Sequence, residues 1–156
     1  MSNPGCEMDL RARYPRSIRD KLAGYVHLGR MIDKCRAVLA GTQGEYIYPC
    51  PMDHRLLEFA ELTPEQFTQG VRGQRDEDVG AWFRATAAPH REVEIEAFND
   101  RMLFLTPNTD EKWAHFTSCR DAIDSTRTDI TTWADLLDLE ERRPVPIRQA
   151  PVGGGP

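Results

Sequence analysis

The chain has 156 residues, 40% of them hydrophobic and 29% charged, which suits one ordinary globular domain and excludes a disordered or collagen-like chain. Its net charge of −5 lacks the basic footprint of a nucleic-acid binder, so no nucleic-acid partner is expected. No run approaches the roughly 20 apolar residues that span a bilayer, and the start Met1-Ser2-Asn3-Pro4-Gly5-Cys6-Glu7 lacks the regions of a signal peptide, so a soluble cytoplasmic protein with no membrane partner is expected.

Residues 1–15 read as an N-terminal arm ending in Tyr14-Pro15. Ser17 followed three residues later by Asp20 forms a capping-box-like start, and Gly41 after Leu39-Ala40 is a natural stop. Between them Ile18, Leu22, Tyr25, Gly29, Ile32 and Leu39 share one face of a helix, which predicts a long central first helix. Roughly opposite lie Arg16, Arg19, His27, Arg30 and Lys34, read as a basic stripe that is either solvated or a binding face. The first forty residues carry a local net charge of +4. Arg36 falls within the apolar arc one turn after Asp33, so an ion pair to Asp33 or to another helix is expected at a core edge.

Glu45-Tyr46-Ile47-Tyr48 reads as one short extended segment, stiffened by Pro49-Cys50-Pro51. A short helix follows with Asp53 as its expected cap and Leu56, Leu57 and Phe59 turned inward. Thr63-Pro64-Glu65-Gln66 is a strong helix start: a Thr cap, Pro in the first turn and Gln three residues after the cap. Four more helices are predicted over Asp76–Ala87, Arg91–Leu105, Thr109–Ser125 and Thr132–Glu141, with Trp82 and Trp113 as core. The Pro-Val-Pro and Gly-Gly-Gly-Pro stretches predict a disordered tail over 143–156. The fold expected is therefore all-α: a compact single domain over 16–142, a bundle of about seven helices with a long central first helix and one short extended segment.

Asp9-Leu10-Arg11, Tyr14-Pro15-Arg16-Ser17 and the run from Leu22-Ala23-Gly24-Tyr25 through Asp33-Lys34 resemble the opening of the bacterial domain-of-unknown-function family 5069. The resemblance continues through Leu39-Ala40-Gly41-Thr42, Gly44-Glu45-Tyr46-Ile47-Tyr48 and Cys50-Pro51-Met52-Asp53. It closes with Arg127-Thr128-Asp129-Ile130-Thr131-Thr132-Trp133 and Leu136-Leu137-Asp138, so it covers about residues 9–142. It implies a small, mostly helical, single-domain bacterial protein and no assigned activity, so no catalytic residue is carried over from it.

Chemistry must then be read from the residues. His27, Arg30 and Lys34 recur at spacings of three and four, so their heads can converge on a carboxylate or phosphate, with Arg30 as a bidentate clamp and His27 exchanging a proton near neutral pH. The competing reading is internal pairing with carboxylates such as Asp129, Asp135, Asp138 and Glu140. Tyr46 and Tyr48 alternate onto one side beside Cys50 and Asp53 and are candidates for a pocket wall, Cys50 being either a nucleophile or a buried small hydrophobe. Arg127, Asp129 and Trp133 sit at a helix start, where they serve capping or offer an anion site beside an indole.

The candidate catalytic residues are thus His27, Tyr46 and Tyr48. The candidate ligand-binding residues are Arg30, Lys34, Cys50, Asp53, Arg127, Asp129 and Trp133. Cys6, Cys35, Cys50 and Cys119 contain no C-x-x-C pair, so reduced thiols are expected and no metal site. The chain has no Walker, dinucleotide-binding, zincin or G-x-S-x-G motif, and no cofactor is expected. The function expected is a cofactor-independent enzyme or binder acting on a small anionic molecule by acid/base chemistry. The alternative is a non-catalytic module that docks an acidic protein partner. Oligomeric state is left open.

Overall fold

In the computed structural model residues 8–148 are described, and among them the backbone forms seven helices and no strand, an all-α fold as the periodicity predicts. None of these helices is long and apolar enough to cross a membrane. The chain divides into two compact units, Met1–Met102 and Leu103–Pro156. The first seven residues, with Cys6, and residues 149–156 of the predicted tail lie outside the described residues.

In the first unit, α1 runs Leu28–Ala40, α2 Pro51–Ala60, α3 Pro64–Val71, α4 Asp76–Thr86 and α5 Glu92–Leu103. The predicted start of the first helix at Ser17 is corrected: α1 has 13 residues and begins eleven positions later, at Leu28. Ala23, Gly24 and His27 take positive φ of 53°, 86° and 69°, and left-handed residues break an i→i−4 ladder. Leu22 and Tyr25 instead exchange backbone hydrogen bonds of 3.0 Å. Asn99 of α5 fixes this turn, its Oδ1 accepting the Val26 N–H and its amide donating to the Gly24 carbonyl. The apolar spacing over 17–27 recorded burial rather than helix, since Ile18 and Tyr25 are buried without being helical.

Every residue of α1 from Leu28 to Ala37 is buried, the signature of a helix enclosed on all sides. It ends where predicted, at Gly41 with φ 71°, whose N–H returns to the Ala37 and Val38 carbonyls. The segment expected to be extended pairs with no strand: Glu45 lies in a turn, Tyr46 and Ile47 in irregular backbone and Tyr48 in a bend. Tyr46 and Tyr48 are nonetheless half-buried while Ile47 is exposed, so the alternation survives without a sheet. Cys50, not Asp53, is the N-cap of α2, with Pro51 opening the helix and Asp53 in its first turn.

Thr63 closes the predicted capping box on α3: its Oγ1 accepts the Gln66 N–H at 3.1 Å, and Gln66 Oε1 accepts the Thr63 N–H at 2.8 Å. Helix α3 packs against α1, α2 and α4, placing buried Phe67 beside Tyr48, Trp82 and Phe83. Residues 8–15 fold back on the unit, with Leu10 buried and its N–H held by the Thr42 carbonyl.

The second unit contains α6, Asp110–Asp124, and α7, Trp133–Glu140, packed on each other. Both helices begin within a residue of the predicted starts, with Thr109 and Thr132 as caps that accept the Lys112 and Asp135 N–H groups. Phe116, Ile130 and Leu136 form the core, with Trp113, Trp133 and Val145 against it. The predicted disorder of the tail is corrected for residues 143–148. Val145 joins that core, and Arg148 makes two hydrogen bonds to the buried Asp135 carboxylate. Pro-rich composition limits helix and strand; it leaves side chains and carbonyls free to dock on a preformed surface.

Candidate functional site: a sealed charge cluster between α1 and α2

The left-handed turn that ends at His27 aims its imidazole along the face of α1 that carries Arg30 and Lys34, and the start of α2 supplies Cys50 and Asp53. Asp53 Oδ1 lies 2.7 Å from His27 Nε2, and Oδ2 lies 2.7 Å from Lys34 Nζ. Oδ2 also accepts the Cys50 N–H at 2.9 Å. Lys34 Nζ then bridges to Cys50 Sγ at 3.1 Å. Three donors on two oxygens, with a sulfur closing the ring, is the satisfaction a buried carboxylate requires.

His27 is 1% exposed, Lys34 4% and Asp53 0%; Cys50 is the half-exposed member of this cluster. The predicted basic stripe is therefore not a solvated face at His27, Arg30 and Lys34. Burial would push the Asp53 carboxyl up, but the hydrogen bonds from His27 and Lys34 and the charge of Lys34 outweigh it and hold Asp53 below its ordinary 3.8. Burial pushes His27 below its ordinary 6.5 against the pull of Asp53. Lowered in this way, the His27 imidazole is neutral at neutral pH, and because an ionised carboxylate only accepts, its proton sits on Nε2. Its Nδ1 is then a bare acceptor, buried and without a hydrogen-bond partner among the described residues.

Around this cluster, the Arg30 guanidinium lies over the Tyr46 ring at 5.7 Å and donates to the Arg16 carbonyl at 3.2 Å. The two tyrosines do not form one wall. Tyr48 turns to α3, its hydroxyl donating to the Pro64 carbonyl at 3.1 Å, and burial raises its phenol above the ordinary 10, away from acid–base work at neutral pH. Sequence reasoning missed a second network beside the first: Arg16 grips Asp33 with two side-chain hydrogen bonds and reaches Asp76, which Arg36 also meets at 2.9 Å. The pair expected for Arg36 is thus inter-helical, to α4. Asp76 offered no signal in the sequence, because a first-turn carboxylate reads equally well as a dipole partner.

Residues 12–143 match the family described as Domain of unknown function (DUF5069). The chain belongs to this family. The matched segment of the DUF5069 chain contains the seven helices found among the described residues and every residue of both charge networks. Comparison with curated proteins gives no match.

Within the DUF5069 segment, Arg127, Asp129 and Trp133 belong to the second unit and are engaged there. Arg127 meets both Asp129 oxygens at 3.0 Å, which together with smaller contributions pulls that carboxyl down to about 2. Arg127 also binds the Val145 and Pro146 carbonyls, and Trp133 packs edge-on to Phe116. A groove of about 620 Å³ between α3 and α4, lined by Glu65, Gln69, Gly70, Asp78, Trp82 and Thr86, contains none of the candidate catalytic or ligand-binding residues.

Proposed function

We propose that this protein binds a small anionic molecule, a carboxylate or a phosphate, without a cofactor, at the mouth of the α1–α2 cluster where Cys50 lies. The observation that carries the reading is the position of Cys50. It is half-exposed at the N-terminal end of a ten-residue helix, with the Lys34 ammonium 3.1 Å from its sulfur. Helix N-termini and ammonium groups both favour negative charge, and Arg30, one turn before Lys34 on α1, adds to the same field. His27 and Asp53 lie behind, too deep to touch a ligand, and serve as positioning residues that hold Lys34 on the sulfur. The docking of an acidic protein partner is the weaker reading, because Arg30 and Lys34 are 3% and 4% exposed and present no basic surface to a partner. We place the protein in the cytoplasm, where thiols such as Cys35, Cys50 and Cys119 stay free.

The test is competitive alkylation of the folded protein by iodoacetate and iodoacetamide, mapped by peptide mass. The anionic reagent is expected to be favoured at Cys50 over Cys119 by about tenfold relative to the neutral one, the scale of local electrostatic steering. That preference should collapse in Lys34→Met and be competed by inorganic phosphate. Equal preference at the two cysteines would overturn the reading.

A further inference from the structure

The amine of Lys34 and the sulfur of Cys50 are also placed to react with each other. We propose that Lys34 and Cys50 form a modification site, at which a hydroperoxide triggers a direct covalent bond between Nζ and Sγ. The bond rests on the geometry of this pair alone; only its consequence, closure of the mouth to anions, rests on the function proposed above.

Three features carry it. The two atoms lie 3.1 Å apart, within the roughly 3–3.5 Å of a near-attack arrangement. Cys50 is half-buried and keeps part of its surface in contact with solvent, the route for a small oxidant, whereas Cys35 is buried. Lys34 is enclosed, and Asp53 Oδ2 at 2.7 Å fixes its amine on the sulfur and stands ready as its proton acceptor. An exposed lysine would lose that alignment to side-chain entropy.

The chemistry balances in two steps. The Cys50 thiol attacks one oxygen of hydrogen peroxide; the O–O bond breaks, sulfur is oxidised by two electrons to the sulfenic acid, and the peroxide is reduced to water. Lys34 passes its ammonium proton to Asp53, and the free Nζ attacks the sulfenic sulfur. The N–S bond forms as the S–O bond breaks, and the departing hydroxyl takes an N–H proton and leaves as a second water. Sulfenic acids condense in this manner with thiols and with backbone nitrogen. A buried ion pair is thereby replaced by a neutral amine–sulfur link and a neutral carboxylic acid that still accepts from His27 at Oδ1, so no charge is stranded without a partner.

The experiment treats the full chain with a small excess of hydrogen peroxide, quenches free thiols, and reads intact mass and tryptic peptides. The expected product is about 2 Da lighter than the reduced chain, resists trypsin at Lys34, contains the Lys34 and Cys50 peptides joined, and reverts with a thiol reductant. Lys34→Arg, which keeps the charge, should lose the joined peptide and leave Cys50 as sulfenic or sulfinic acid. Four results on the wild-type chain overturn the proposal without recourse to any variant. These are sulfenic or sulfinic acid at Cys50 with normal cleavage at Lys34, a disulfide from Cys50 to another cysteine, an unmodified Cys50, or a joined pair about 14 Da heavier that holds an extra oxygen. Because alkylation and oxidation are read separately, loss of anion preference and failure of the cross-link are distinguishable.

Discussion

Lys34 Nζ and Asp53 Oδ2 meet at 2.7 Å in a place where Lys34 is 4% and Asp53 0% exposed. Each charge is tolerable only because the other is present, since moving an ion out of water costs several kcal/mol.

Asp53→Ala should therefore destabilise the fold by about 3–5 kcal/mol, the penalty for stranding a buried partner charge. Lys34→Met should cost less, because the remaining carboxylate keeps the His27 and Cys50 N–H donors. The double variant should recover part of the Asp53→Ala loss, as a neutral site no longer holds a lone ammonium. Urea unfolding of the four proteins decides it, and additive losses would show that the two groups are not coupled.

Acid should weaken the protein in two stages. His27 is held below its ordinary 6.5 by burial, so the unfolded chain binds more protons than the folded one as pH falls below about 6.5, and stability drops. Asp53 is held below its ordinary 3.8, so its contribution is intact above about pH 4 and is lost at more acidic pH. Melting temperature followed from pH 8 to pH 3 should fall in both windows. His27→Gln should flatten the upper one and leave the lower, and an unchanged upper slope would remove His27 from the account.

Gly70 sits inside α3, where alanine normally gains about 1 kcal/mol. A Cβ there would stand 2.4 Å from the Trp82 indole, and overpacking typically costs about 1–3 kcal/mol. Gly70→Ala is expected to be net destabilising and to shift the emission of Trp82, read against a Trp82→Phe control. A gain in stability would mean that the indole swings aside freely.

Truncation should divide the C-terminal segment at Arg148. Removing residues 149–156 leaves the Arg148–Asp135 pair and the Val145 and Pro146 contacts intact. Removing 143–156 takes away all of them, together with the apolar burial of Val145, so a loss of about 2–4 kcal/mol is expected by denaturant unfolding. Equal stability of the two truncations would show that residues 143–148 contribute nothing.

Much of the helix inventory was legible because its signals are local. The Thr63 capping box, the Thr109 and Thr132 caps and the Gly41 stop each involve residues within one turn of one another, and such hydrogen bonds form whatever the rest of the chain does. The candidate cluster was legible in its membership and not in its arrangement. His27, Lys34, Cys50 and Asp53 were all singled out, yet nothing in their spacing shows that one carboxylate from α2 would satisfy both the imidazole of His27 and the ammonium of Lys34. Arg127 and Asp129 were recognised as capping chemistry or an anion site, and they pair with each other.

By itself the sequence determined the all-α class, most of the helix boundaries and the residues that carry charge into the first unit, since periodicity and capping are properties of neighbours along the chain. Tertiary structure alone decided that α1 starts at Leu28, because the turn before it depends on Asn99 from α5. It alone decided that His27, Arg30 and Lys34 of the basic face are sealed inside the fold. Whether a cation meets water or a carboxylate is fixed by which distant segment packs over it, and that choice is made by the whole chain when it buries its apolar surface.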